Sequence, residues 1–138
     1  MPILQAITTS MDQPSSEFKS KGGLARIAAA TRYSIAGFKT AWRHEHAFRQ
    51  ELMVAGPAAI LALLLPVSSF QKLALIMVLG LVLLVELINA AIEAVVDRVS
   101  LERHPLSKAA KDLGSAAVAL AIAMAAATWA VVLYNRFF

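Results

Sequence analysis

The chain has 138 residues, 59% of them hydrophobic and 16% charged, with a net charge of +4 and no cysteine. A mean hydropathy of +0.66 is too apolar for a soluble domain of this length and points to a membrane protein that crosses the bilayer more than once. Disulfides and thiolate metal sites are excluded, and no nucleic-acid-binding motif accompanies the basic excess.

The first twenty-three residues, MPILQAITTSMDQPSSEFKSKGG, contain no continuous apolar core, and their Ser, Pro, Gly and Gln predict a disordered tail without a signal peptide. In residues 24–49, Leu24, Ile27, Thr31, Ile35, Phe38 and Trp42 recur at steps of three and four. Arg26, Arg32, Lys39 and Arg43 fall elsewhere on the wheel. Trp, Phe and Ile opposite a basic face predict a helix lying in the headgroup plane. A soluble, core-facing helix has the same pattern, but the lipid-soluble sequence that follows favours the membrane surface.

Three spans are expected, at about 50–67, 72–98 and 112–134. The apolar run of the first, 52–65, is short for a bilayer, so its helix should begin near Ala47 with Arg49 and Glu51 at the interface. Pro57 lies inside this span, where neighbouring helices can satisfy the freed carbonyl. PVSSFQK (66–72) reads as a tight turn, and RVSLERHPLSKAAKD (98–112) as a polar loop with its break at Pro105. In the third span Ala117, Ala121 and Ala125 form one row of small residues and Ala119, Ala123 and Ala127 another, which allows close helix approach. Three short spans make a thin bundle, so a homo-oligomer is the natural completion. Eleven of the 13 Lys and Arg residues precede the first span or lie in the second loop. That bias places the N-terminus and the long loop in the cytoplasm and the C-terminus on the opposite side.

The second span carries LALIMVLGLVLLV (73–85) and then ELINAAIEAVVD (86–97), an apolar run that turns acidic without a break. Glu86, Asn89, Glu93 and Asp97 are spaced three, four and four apart, within an arc of about 80° on one helix face. At ~1.5 Å per residue Glu86 lies about 20 Å from Lys72, inside a hydrocarbon layer ~30 Å thick, whereas Asp97 reaches the headgroups. An acid at Glu86's depth costs roughly 2.5–3.5 kcal/mol, so a function is the better explanation than a packing seam bonded to Ser115 or backbone. A deep carboxylate suits proton uptake, and acids nearer water can hold a hard divalent cation through oxygen. Glu45, between His44 and His46, could join such a cation site. The two histidines, at i and i+2, do not share a helix face and read as a solvated cluster, not a zinc site. Lys108 and Lys111 fit either phosphate contact or topology, and Trp42 and Trp129 fit interface anchoring or packing. No Walker lysine loop, Gly-rich kinase loop or HRD-type catalytic loop is present.

The runs VELINAAIEAVVDRV (85–99) and HPLSKAAKDLGSAAV (104–118) resemble the signature of the bacterial integral-membrane diacylglycerol kinases. AWRHEHAFRQE (41–51) and RYSIAGFKTAW (32–42) are similar to that family's surface-helix region, so the resemblance covers about residues 24–134. It implies an all-α membrane protein: an N-terminal amphipathic surface helix and three transmembrane helices in a homo-oligomeric, trimeric bundle with sites between subunits. The implied reaction, at the bacterial inner membrane, moves the γ-phosphoryl group of ATP-Mg2+ to the hydroxyl of diacylglycerol and gives phosphatidic acid. Carried position by position, Glu86 matches the proton acceptor, and Glu45 and Glu93 match the metal ligands. Arg26, Tyr33, Glu45, Glu93, Glu102, His104, Lys111 and Asp112 match the ATP side. Arg26, Trp42, Glu51, Glu86, Asn89 and Ser115 match the lipid side. Arg103, Pro105 beside His104, Leu52 and the long tail depart from the family pattern.

Two alternatives share these features. Relatives in the same family act on undecaprenol, although GSAAV after AKD looks like the diacylglycerol branch. A small proton-coupled multidrug exporter also uses a membrane-embedded glutamate, but needs only one.

Overall fold

In the computed structural model of the chain, the described residues are 23–99, 102 and 104–138. The tail expected over 1–23, apart from Gly23, lies outside them, as do Ser100 and Arg103. Four α-helices follow in order: α1 Gly23–His44, α2 His46–Leu64, α3 Ser69–Val99 and α4 Pro105–Phe137. Among the described residues, α2, α3 and α4 are long and apolar enough to cross a membrane.

The chain divides into two compact units, residues 1–37 and 38–138. In the first, the described residues are the opening turns of α1, where Leu24, Ile27, Tyr33 and Ile35 are exposed and the Arg32 guanidinium stands 5.7 Å from the Tyr33 ring centre. The second unit holds the rest of α1 and the three long helices, with α3 packed against both α2 and α4.

Local chemistry sets each helix end. The pattern of residues 24–49 reads as one helix, but the backbone breaks at Glu45, which is extended (φ −99°, ψ 110°). Arg49 stabilises this break from the next turn. Its guanidinium donates to the carbonyls of Trp42 (2.8 Å) and Arg43 (3.1 Å), two of the acceptors that the end of α1 leaves without helical partners, and also meets His46 Nδ1 at 2.8 Å. Pro57 is accommodated inside α2. That helix ends at Leu65, whose extended backbone (φ −60°, ψ 138°) is what a residue preceding a proline, here Pro66, prefers.

The turn into α3 is shorter than 66–72, because Ser68 and Gln71 form a capping box. Gln71 N–H donates to Ser68 Oγ at 3.2 Å, and Ser68 N–H to Gln71 Oε1 at 3.0 Å. Lys72 Nζ donates to Leu63 O at 2.6 Å, placing a cation at the C-terminal end of α2. The polar loop expected over 98–112 is likewise shorter. Helix α3 runs to Val99, and α4 starts at Pro105 with His104 as its cap, Leu106 N–H donating to His104 Nδ1 at 3.2 Å. Pro105 therefore begins a helix: at the first helical position its missing N–H costs nothing.

The three long helices pack through seams of heptad-like spacing. Buried positions are Phe48, Ala55 and Ala62 on α2; Leu75, Val82, Glu86 and Asn89 on α3; and Gly114, Ala121, Ala125 and Val132 on α4. Leu75 packs with Ala62, Leu65 and Val132, and Val82 with Ala121 and Ala125, so α3 and α4 run antiparallel. Of the two alanine rows, only Ala121 and Ala125 are buried; Ala117, Ala119, Ala123 and Ala127 are exposed.

Candidate active site

The seam between α3 and α4 changes character along its length. Its lower part is aliphatic, and its upper part is the stripe of polar residues. Glu86 is 3% exposed and Asn89 9%, Glu93 is half-buried, and Asp97 is exposed. The stripe thus passes from the buried interior to the exposed surface of the chain over about three turns.

Two further carboxylates join it. Glu45, at the break between α1 and α2, is half-buried, and Glu51 on α2 is half-buried with Oε2 enclosed and without a hydrogen-bond partner. Glu86 lies in the electrostatic field of both Glu93 and Glu45, and Glu51 in that of Glu86. Three different segments therefore direct acids into one neighbourhood. Asn89 sits among them. Its Nδ2 donates to Glu93 Oε1 at 3.3 Å. Its Oδ1 is buried without a partner. Clustered acids and an unused acceptor in a low-dielectric place are costly unless protons, a cation or a ligand complete them.

Among the described residues, no three acidic or histidine side chains converge as a ready-made cation cage. The donors present are carboxylate and amide oxygens, the hard ligands that magnesium takes. Magnesium uses one or two carboxylates and completes its shell with water and substrate phosphates, so Glu45 and Glu93 fit that requirement.

At the solvent end of the stripe Lys111 Nζ lies 2.7 Å from Asp97 Oδ1, linking α4 to α3, and Lys111 also feels Glu93. Asp112 is paired with Lys108 at 2.5 Å. Glu102 and Ser115 are exposed. His104 is exposed too, with Nδ1 occupied in capping α4. Trp42 is 48% exposed, and its backbone carbonyl is held by Arg49. Arg26 and Tyr33 belong to the first unit, where both are exposed.

A cavity of about 430 Å3 lies among α2, α3 and α4, with Glu51, Val54, Ala58, Leu79, Ile122 and Trp129 in its wall. Its lining is almost wholly apolar, yet two buried polar atoms there lack partners: Glu51 Oε2 and Trp129 Nε1. The sequence suggested only anchoring or packing for Trp129, since nothing in its neighbourhood marks a cavity wall.

The family model described as prokaryotic diacylglycerol kinase matches residues 32–133. A diacylglycerol kinase of Pseudomonas aeruginosa is 53% identical over 118 residues, covering 86% of this chain and 96% of that protein. A diacylglycerol kinase of Escherichia coli is 46% identical over 115 residues, covering 83% and 94% respectively. One from Helicobacter pylori is 37% identical over 116 residues, covering 84% and 91%.

Proposed function

Because the chain belongs to the prokaryotic diacylglycerol kinase family and is a lipid kinase, we propose that it transfers the γ-phosphoryl group of ATP-Mg2+ to the hydroxyl of diacylglycerol, giving phosphatidic acid. The observation that carries this reading is the graded stripe on α3: a buried carboxylate at Glu86, an amide at Asn89, and acids leading to solvent. Diacylglycerol presents its hydroxyl at the boundary between hydrocarbon and water, which is where such a stripe passes from one to the other.

In this proposal Glu86 is the general base. It takes the hydroxyl proton as that oxygen attacks the γ-phosphorus, the bond to the β–γ bridging oxygen breaks, and ADP leaves. Magnesium, held by Glu45 and Glu93, would neutralise phosphate charge. Asn89 orients the Glu93 carboxylate through the 3.3 Å hydrogen bond. Lys111 and Asp112, with Glu102 and His104, serve the polyphosphate and nucleotide. Trp42, Glu51 and Ser115 serve the lipid. The cavity beside Glu51 supports this assignment, since an apolar acyl chain can fill it.

We further propose that α1 lies in the headgroup plane of the bacterial inner membrane, that the N-terminus and the α3–α4 connection are cytoplasmic, and that three copies assemble with sites between them. An exporter built on one membrane glutamate would leave Glu45, Glu51 and Glu93 without a role.

The test is a mixed-micelle assay of purified protein with ATP, magnesium and diacylglycerol, with undecaprenol in parallel. Diacylglycerol should be phosphorylated in preference, and Glu86→Gln should lower turnover by at least ~10²-fold, the scale of a lost general base, with the oligomer intact. Turnover like wild type in that variant would remove Glu86 from the role.

A further inference from the structure

Glycine in a helix interior is destabilising relative to alanine, so a glycine there calls for a reason. Five described glycines, Gly23, Gly37, Gly56, Gly80 and Gly114, lie in helices, and at four of them an added methyl group would meet nothing within 4 Å. Gly114 is the exception. A Cβ there would collide with Asn89 Oδ1 and lie 3.2 Å from Asn89 Cγ and 3.8 Å from its Cβ. Gly114 is buried on α4, and Asn89 faces it from α3 with that Oδ1 enclosed and unbonded. The other end of the same carboxamide donates to Glu93.

These contacts assign a task to Gly114. We propose that it is a positioning residue: its missing side chain lets the Asn89 carboxamide seat against α4 with its N–H turned to Glu93, fixing the carboxylate that would take magnesium. The contact to Glu93 belongs to the structure, and the consequence for metal and turnover rests on the proposed function. A methyl group at 114 meets the carboxamide at the end of the Asn89 side chain, which must rotate about χ2 or leave the seam, and either movement turns Nδ2 away from Glu93. Serine should act in the same way. Partners that orient a ligand in this manner typically contribute 10–100-fold to metal affinity.

The experiment compares four full-length proteins: wild type, Gly114→Ala, Asn89→Ala and the double variant. In selectively labelled protein, solid-state NMR reads the separation between Asn89 Nδ2 and the Glu93 carboxylate, which requires neither metal nor activity. The contact should be lost in Gly114→Ala, and its persistence overturns the proposal. Mn2+ binding followed by EPR should weaken by ~10-fold or more in Gly114→Ala. In the Asn89→Ala background the same substitution should change it no further. Equal losses in both backgrounds would show that the route does not run through Asn89. Should Gly114→Ala fail to fold, the double variant decides, because removing the amide removes the collision. Recovery of the folded oligomer supports the proposal, and continued failure overturns it. A wild-type protein that leaves diacylglycerol unphosphorylated would refute the function reading alone, with the NMR result still judging Gly114.

Discussion

Glu86 and Glu93 lie two turns apart on α3, and the proposed function gives them different tasks. Glu86 is enclosed by protein, whereas Glu93 is half-buried, hydrogen-bonded to Asn89 and nearer solvent. A base and a metal ligand should fail differently when removed. Glu93→Gln and Glu45→Gln are expected to raise the half-saturating magnesium concentration about tenfold, equivalent to ~1.4 kcal/mol of lost binding. Glu86→Gln should leave it nearly unchanged while turnover disappears, and a magnesium titration of each variant separates the two cases. At this scale the acids of α3 were legible, because three carboxylates and an amide in register are too costly in lipid to be accidental. The inward turn of Glu51 and the place of Trp129 in a cavity wall were not, since single residues carry no period. Nor could the sequence say which end of Asn89 faces Gly114, because that depends on two helices meeting.

At the scale of elements, apolar periodicity located the helices but not where they stop. Pro105 interrupts the polar stretch yet begins a helix, and PVSSFQK has the composition of a turn, yet its last four residues already belong to α3. Both signals were present in the sequence, the Ser-x-x-Gln spacing of a capping box and a proline following a capping residue, but hydropathy outweighed them. The break at Glu45 was less accessible still, because it depends on a guanidinium reaching back seven residues to Trp42 O. Ser68→Ala removes one arm of the capping box and should destabilise the fold by about 1 kcal/mol. SDS-induced unfolding in mixed micelles would detect that loss, and turnover per folded molecule should be unaltered because the cap lies at the end of α3 remote from Glu86.

For the molecule as a whole, the exposed side chains include Ile60, Leu64, Phe70, Met77, Leu84, Leu120 and Val131, a surface suited to acyl chains. In that solvent apolar contact alone does little to join helices, so close approach along small residues must help. The seam through Ala121 and Ala125 satisfies α3, leaving Ala119, Ala123 and Ala127 available for another copy. Ala123→Leu is expected to weaken the proposed oligomer, as read by native mass spectrometry in detergent, without loosening the α3–α4 seam. An unchanged mass distribution would mean that this row faces lipid. Composition and the distribution of basic residues made the membrane class legible, whereas the number of copies is not written in the periodicity of one chain.

Helix α3 is a single uninterrupted rod of 31 residues, and every acid along it takes its bearing from that continuity. One residue inserted between Asn89 and Glu93 would swing everything beyond it by about 100° and advance it by ~1.5 Å. Glu93 and Asp97 would then face away from Asn89 and Lys111, although composition, charge and hydropathy would hardly change. The rod thus works as a protractor: over this stretch lineages of the enzyme can exchange letters far more freely than they can add or drop one.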